Sequence, residues 1–284
     1  MTLVIAERKN NQFSIIADSR FNYGGATNFD FGIKVSPLRV KIRSPNETDG
    51  RSTIDYDYLI GLGMTGNVIA ATTIKEYMTA ALVNVQYTPG YTDFSFRGIV
   101  NFIAKFYEKI CSEMSVLFRE KGICEMVMAG FCPLQKNIRC FFLAMDVSDY
   151  PIKIICEEVL KDNGMAFFGS GKKEAEEIRM YYPNYSALNI VRRVIFDQKN
   201  PTVGGSIQLG HFENRNFVVN GLLIDNPTVE NPNNCSWNLW GINHLEGEFD
   251  VDDESFLLNI GFLMAHDVID FDNETGHAEK NSGS

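Results

Sequence analysis

The order of elements along this 284-residue chain predicts an α+β fold in four layers, an αββα sandwich of two stacked sheets with helices outside both. Two observations carry the prediction. Strand-like and helix-like patterns come in blocks, in the order strands, two helices, strands, two helices, strands, and stacking the sheets under helix layers buries every apolar face so produced. The hydrophobic content, 45%, suffices for a full core, and the length lies near the upper end for one domain.

The first segment, "TLVIAERKNNQFSIIADSR", is two β-branched-rich runs around a polar turn and predicts a hairpin that starts at the second residue. After a Gly-rich connection, "IKVSPLRVKI" predicts a strand region interrupted by Pro37, and the polar 44–57 stretch predicts a loop. "VIAATTIKEYMTAALVNVQY" has three- and four-residue apolar spacing, a helix opening at Gly66-Asn67. A second long helix follows, with Thr92 or Asp93 as candidate N-caps and Gly122 as its stop. "CEMVMAGFC", "IRCFFLAMD" and "IKIICEEVL" predict three strands, "MAFFGSG" leads into helices around 171–182 and 186–198, and "SIQLGHFE" and "NFVVNGLLI" return to strand. The expected organisation is one domain over 1–269, with an insert loop at about 44–57, a C-terminal extension at about 222–269 and a disordered tail at 270–284. The stretch 226–250, rich in Asn, Pro and Gly and holding both tryptophans, is given no assignment.

A net charge of -10 and a pI near 5.0 leave no basic stripe for a phosphate backbone, which argues against nucleic acid. The six cysteines form no C-x-x-C pair and sit mostly in apolar runs, so they are expected as buried free thiols of a reducing compartment. With no secretory pattern and no window of ~20 apolar residues, a soluble, cytoplasmic protein without membrane contact is expected. The four histidines are too scattered for a triad or metal cage, and "DVDDE" at 250–254 lacks the glycine and glutamate of a calcium loop, so no metal or cofactor is expected.

A threonine beside an initiator methionine usually means nothing. Here Asp18 ends the second strand sixteen residues after Thr2, where antiparallel pairing returns it to the start of the first, and Lys34 lies sixteen residues further. A free α-amine, with a pKa near ~8, can take the proton of its own residue's hydroxyl. A nearby ammonium such as Lys34 favours the neutral amine, and Asp18 keeps that lysine charged and placed. A surface Asp–Lys pair of little energetic weight is the plain alternative.

From Thr2 to about Phe212 the chain resembles the proteasome β-subunit family of N-terminal-nucleophile (Ntn) hydrolases, including the bacterial Anbu-type and stand-alone members. "TLVIA…IIADSR" is similar to that family's opening hairpin, "GMTGN" to the turn before its first helix, "FFGSG" to its serine-bearing turn and "PTVGGSIQL" to the segment after its fourth helix. The resemblance implies Thr2 as nucleophile after removal of Met1, Asp18 and Lys34 beside it, Gly66 N–H as oxyanion hole and Ser170 near the terminal amine. Ser170 fits equally as a helix N-cap or a proton relay. Arg20 matches the arginine of the ADSR motif and reads as structural. Gly25, Ala26, Phe31 and Met64 should border an apolar, neutral substrate pocket. Two departures stand out: Asn200 and Val203 occupy positions where eukaryotic and archaeal subunits have aspartate and serine, and the 44–57 loop is longer than usual.

The implied function is a threonine peptidase acting on peptides or unfolded protein through an acyl-enzyme, assembled as a homo-oligomer. Since the chain has no P-loop, any ATP use belongs to a separate AAA+ unfoldase. A non-catalytic proteasome-like scaffold or sensor and a small-molecule amidase on the same fold are the competing expectations.

Overall fold

The computed structural model of the chain describes residues 2–22, 28–44, 53–91, 93–146, 153–225, 235–240, 242–243 and 262–264. β1 (Val4–Lys9) and β2 (Gln12–Asp18) form the opening hairpin, with Val4 opposite Ala17 and Lys9 opposite Gln12. Asn10 and Asn11 turn it with both φ values positive, 50° and 66°, the two-residue geometry that matches strand twist and that asparagine tolerates.

A short ribbon, β3 (Phe21–Asn22) with β4 (Asn28–Phe29), precedes β5 (Val35–Ser44) and β6 (Thr53–Gly66). β5 runs through Pro37 unbroken, against expectation. Val35, on the same side of the strand two residues earlier, donates its N–H to Gln208 rather than to β6. Pro37 therefore turns its missing donor to an edge that β7 (Val85–Gln86) covers only at Ile42 and Arg43. The expected 44–57 loop is also narrower: Ser44 pairs with Thr53 and 53–57 belong to β6, while 45–52 lie outside the described residues.

α1 (Val68–Ala81) starts after Asn67, whose side chain caps Ala70 N–H, and ends earlier than its apolar pattern suggested, in a 3-10 turn over Leu82–Asn84. α2 (Phe96–Phe118) is capped by Ser95, whose hydroxyl accepts from Gly98 N–H; Asp93 instead accepts from Ser95 N–H, and Thr92 lies outside the described residues. A 3-10 turn ends at Gly122. Then come β8 (Cys124–Cys132), β9 (Asn137–Asp146), β10 (Lys153–Val159), β11 (Gly164–Phe168), α3 (Lys172–Tyr181), α4 (Ala187–Asp197), β12 (Ile207–Glu213) and β13 (Asn216–Asp225). Three short strands, β14 (Cys235–Leu239), β15 (Ile242–Asn243) and β16 (Phe262–Met264), extend the sheet beyond them. The expected tail at 270–284 and the acidic run at 250–254 lie outside the described residues.

One sheet runs β11-β1-β2-β12-β13-β14-β15 with β16 also on β13, and the other β10-β9-β8-β6-β5-β7. Strand alternation sends Leu3 and Ile5 one way, onto Ala175, Ile190 and Val194 of α3 and α4, and Val4 and Ala6 the other, onto Val35, Val127 and Ala129 of the facing sheet. Ile74 and Met78 of α1 and Ile103 and Tyr107 of α2 cover the far face of that second sheet at Leu62, Met126 and Leu143. The layers are α, β, β, α. Phe217 fills the space between the sheets where Gly61 and Gly210 leave room; a Cβ at either glycine would stand 2.5 or 2.2 Å from its ring. Cys111, Cys124, Cys132 and Cys140 are buried free thiols, and no helix among the described residues is long and apolar enough to cross a membrane.

Candidate active site

The hairpin register decides where the candidate chemistry stands. Asp18 N–H donates to Leu3 O at 3.3 Å, so the end of β2 abuts Thr2, itself only 2% exposed. The Asp18 carboxylate is fully buried and accepts four donors. Oδ1 takes Leu3 N–H and Lys34 Nζ, both at 2.9 Å, and Oδ2 takes Gly204 N–H at 3.0 Å and Arg20 N–H at 3.2 Å. Charge-assisted bonds of this number are what a buried carboxylate requires.

Lys34 is equally enclosed, at 1%. Burial pushes its ammonium below the usual lysine range, opposed by the charge and hydrogen bond of Asp18. Phe21 lies under the ammonium at 5.5 Å. Its backbone is held on both sides: Lys34 O accepts from Met64 N–H at 3.0 Å, and Gln208 Oε1 accepts from Lys34 and Val35 N–H at 2.9 and 3.0 Å. Gln208 Nε2 donates to Gly32 O at 2.5 Å, so one carboxamide fastens the approach to the lysine.

On its other flank Thr2 meets the turn between β11 and α3. Thr2 N–H donates to Ser170 Oγ at 3.1 Å and Gly171 N–H donates to Thr2 O at 3.2 Å. The approach is so close that a Cβ on Gly169, whose φ is +86°, would lie 2.2 Å from Thr2 O. Of the two roles open to Ser170, helix capping falls away, because α3 takes Gly171 as N-cap with no side-chain bond. Ser170 Oγ contacts Thr202 Oγ1 at 2.8 Å; Thr202 donates to Asn200 Oδ1 at 2.6 Å, and Asn200 Nδ2 donates to Ser170 O at 3.0 Å. Asn200 thus supports the serine, while Val203, 1% exposed, packs into the core under α3 and α4.

Gly66 closes β6 with φ +86°, and a Cβ there would stand 2.8 Å from Ile123 O. Asn67, not Gly66, caps α1. Thr2, Lys34 and Gly66 line one cavity of about 10 Å³, walled further by Phe21, Ile33, Met64 and Ala71, room for about one water. Of the residues expected to border a substrate pocket, Met64 lines this cavity, whereas Phe31 is 51% exposed, packs edge-on against Phe29 at 5.7 Å and is not in its lining. Gly25 and Ala26 lie outside the described residues.

Arg20 is held away from the cavity in a two-pronged ion pair with Asp30, at 2.7 and 2.8 Å, that holds Asp30 below the usual aspartate range. The guanidinium covers Gly204, where a Cβ would lie 2.4 Å from Cζ. Ser19 donates to Asp30 O and accepts from Ser206 N–H, binding the same two segments. Sequence reasoning missed Thr202, Gln208 and Asp30. Only Thr202, beside the departures at Asn200 and Val203, left a local hint.

Two stacked sheets between helix pairs, with a threonine at the open end of the first hairpin, form the proteasome-like N-terminal-nucleophile fold. Among solved structures, Anbu, the ancestral β-subunit, from Yersinia bercovieri is similar with a TM-score of 0.53 and 14% identity, over 76% of this chain and 86% of that one. The Gly-1 mutant of Anbu from Hyphomicrobium sp. strain MC1 is similar with a TM-score of 0.53 and 15% identity, over 77% and 85%. At such identities the likeness is one of fold. No family model and no curated protein matches the chain.

Proposed function

We propose that the chain is a threonine-type Ntn hydrolase that cleaves peptide or amide bonds through an acyl-enzyme on Thr2 once Met1 is removed. The observation that carries this reading is that Thr2, Lys34 and Gly66 line one small cavity, with Asp18 and Lys34 buried as a pair behind it. In this mechanism the Thr2 amine takes the proton of Thr2 Oγ1 as that oxygen attacks the carbonyl carbon. The Lys34 ammonium favours the neutral amine by like-charge repulsion, and Gly66 N–H faces the oxyanion. The amine returns the proton to the leaving nitrogen, and water, activated by the same amine, releases the acid.

The cavity holds about one water, so a substrate side chain enters only as its walls part, and those walls, apolar at Phe21, Ile33, Met64 and Ala71, favour a neutral, apolar one. A homo-oligomer is the expected assembly, with Met180 and Tyr181 at the end of α3, exposed by 81% and 78%, as candidate contacts. A separate AAA+ unfoldase is the expected partner for folded substrates.

Intact-mass spectra test the reading, taken with and without a β-lactone probe on wild type and Thr2→Ala. The expected result is a wild-type mass lacking Met1 and a single adduct absent from the variant. Retained Met1 with no adduct overturns it in favour of a scaffold subunit.

A further inference from the structure

We propose that Asn200 and Thr202 are positioning residues that fix the direction of the hydrogen bonds leaving Thr2 nitrogen, so that Ser170 meets this nitrogen only as an acceptor and the chain of bonds ends on a neutral carboxamide. The inference rests on the reading of Thr2 as nucleophile.

The directions follow from the donors. Asn200 Oδ1 accepts from Thr202 N–H at 3.1 Å while Nδ2 donates to Ser170 O, so the carboxamide has one orientation. Its oxygen stands 2.6 Å from Thr202 Oγ1, and two acceptors do not meet at that distance, so the threonine's one hydroxyl proton is committed there. Thr202 Oγ1 is left as an acceptor, 2.8 Å from Ser170 Oγ. The serine proton goes to it in preference to the 3.5 Å contact with Thr2 O. Ser170 Oγ then has only lone pairs to offer Thr2 nitrogen, 3.1 Å away.

Once Met1 is gone, such an acceptor holds one amine N–H and leaves the nitrogen lone pair for the Thr2 hydroxyl proton. A serine free to rotate could donate to that lone pair and block it. Ser170, Thr202 and Asn200 exchange no net proton: the amine takes one from Oγ1 and delivers it to the leaving nitrogen. A carboxylate in place of Asn200 would add a negative charge at the end of the chain and favour the ammonium.

The experiment compares Asn200→Asp, Thr202→Val and Thr202→Ser with wild type after intact-mass confirmation that Met1 is removed. The pH dependence of β-lactone acylation is followed, and the Thr2 amine pKa is read separately by competitive acetylation. Asn200→Asp should move both the acid limb and the amine pKa upward by about one unit. Thr202→Val should lower maximal acylation at least about tenfold with little change in probe affinity, and Thr202→Ser should recover most of it. A processed Asn200→Asp with wild-type pKa and profile, or Thr202→Val equal to Thr202→Ser, overturns this inference alone. A wild-type chain that keeps Met1 overturns the nucleophile reading and this inference with it.

Discussion

Lys34 Nζ stands 2.9 Å from Asp18 Oδ1 with both side chains closed to solvent. The plain alternative, an exposed pair of little weight, does not hold for such a site: neither charge has water to fall back on, so Lys34 depends on Asp18, and Asp18 on Lys34 together with its three backbone N–H donors.

Lys34→Met or Asp18→Asn alone should therefore cost about 3–5 kcal/mol, read from urea midpoints. The double variant should cost clearly less than the sum. Strict additivity would mean that the two groups are uncoupled.

Gly66→Ala forces a Cβ to within 2.8 Å of Ile123 O at a left-handed φ. Stability should fall by about 1–3 kcal/mol, and β-lactone acylation by at least about a hundredfold. Because the strain lies in the strand end that faces Thr2, acylation lost only in proportion to unfolded protein would argue against an oxyanion role.

Gln208→Leu removes an acceptor from Lys34 and Val35 N–H and a donor from Gly32 O in a fully enclosed place. A loss of about 2–4 kcal/mol is expected, with hydrogen exchange at Lys34 and Val35 amides rising ahead of that in α2. Unchanged protection at those amides would contradict the fastening role.

Arg20 holds the Asp30 carboxyl below its ordinary 3.8. A depressed carboxylate pKa stabilises the fold fully above the unfolded value and loses that contribution as pH falls through the folded one. The difference in urea midpoint between wild type and Asp30→Asn should stay constant down to about pH 4 and shrink below it. Asp30 is 37% exposed, so the whole effect should stay under about 1 kcal/mol. A difference that grows in acid would reverse the sign.

The elements legible in the sequence are those whose cause is local. Alternating apolar residues and the Asn10-Asn11 turn set the hairpin register, and with it the approach of Asp18 to Thr2; apolar spacing gave α1, although its pattern runs on to Tyr87 and the helix stops at Ala81. The cap of α2 went to Ser95 because its hydroxyl reaches Gly98 N–H, a choice that candidates two and three residues earlier could not reveal. Pro37 reads as a break until the uncovered edge beside it is known. Gln208 bonds Lys34 across 174 positions and has no signature of its own, since an isolated glutamine in a strand looks like any other polar residue. Phe31 was expected at the pocket from the family resemblance, and it lies after β4, exposed and packed edge-on against Phe29.

The donors gathered on Asp18 come from residues 3, 20, 34 and 204. On a translating ribosome the threonine and its aspartate emerge early, and Gly204, with Gln208 close behind, emerges late. A nascent chain thus carries Thr2 for most of its synthesis without the scaffold that holds Asp18 and Lys34 in place. The buried carboxylate therefore gains its full set of donors only when synthesis of the main fold is nearly over, and any chemistry that depends on them waits until then.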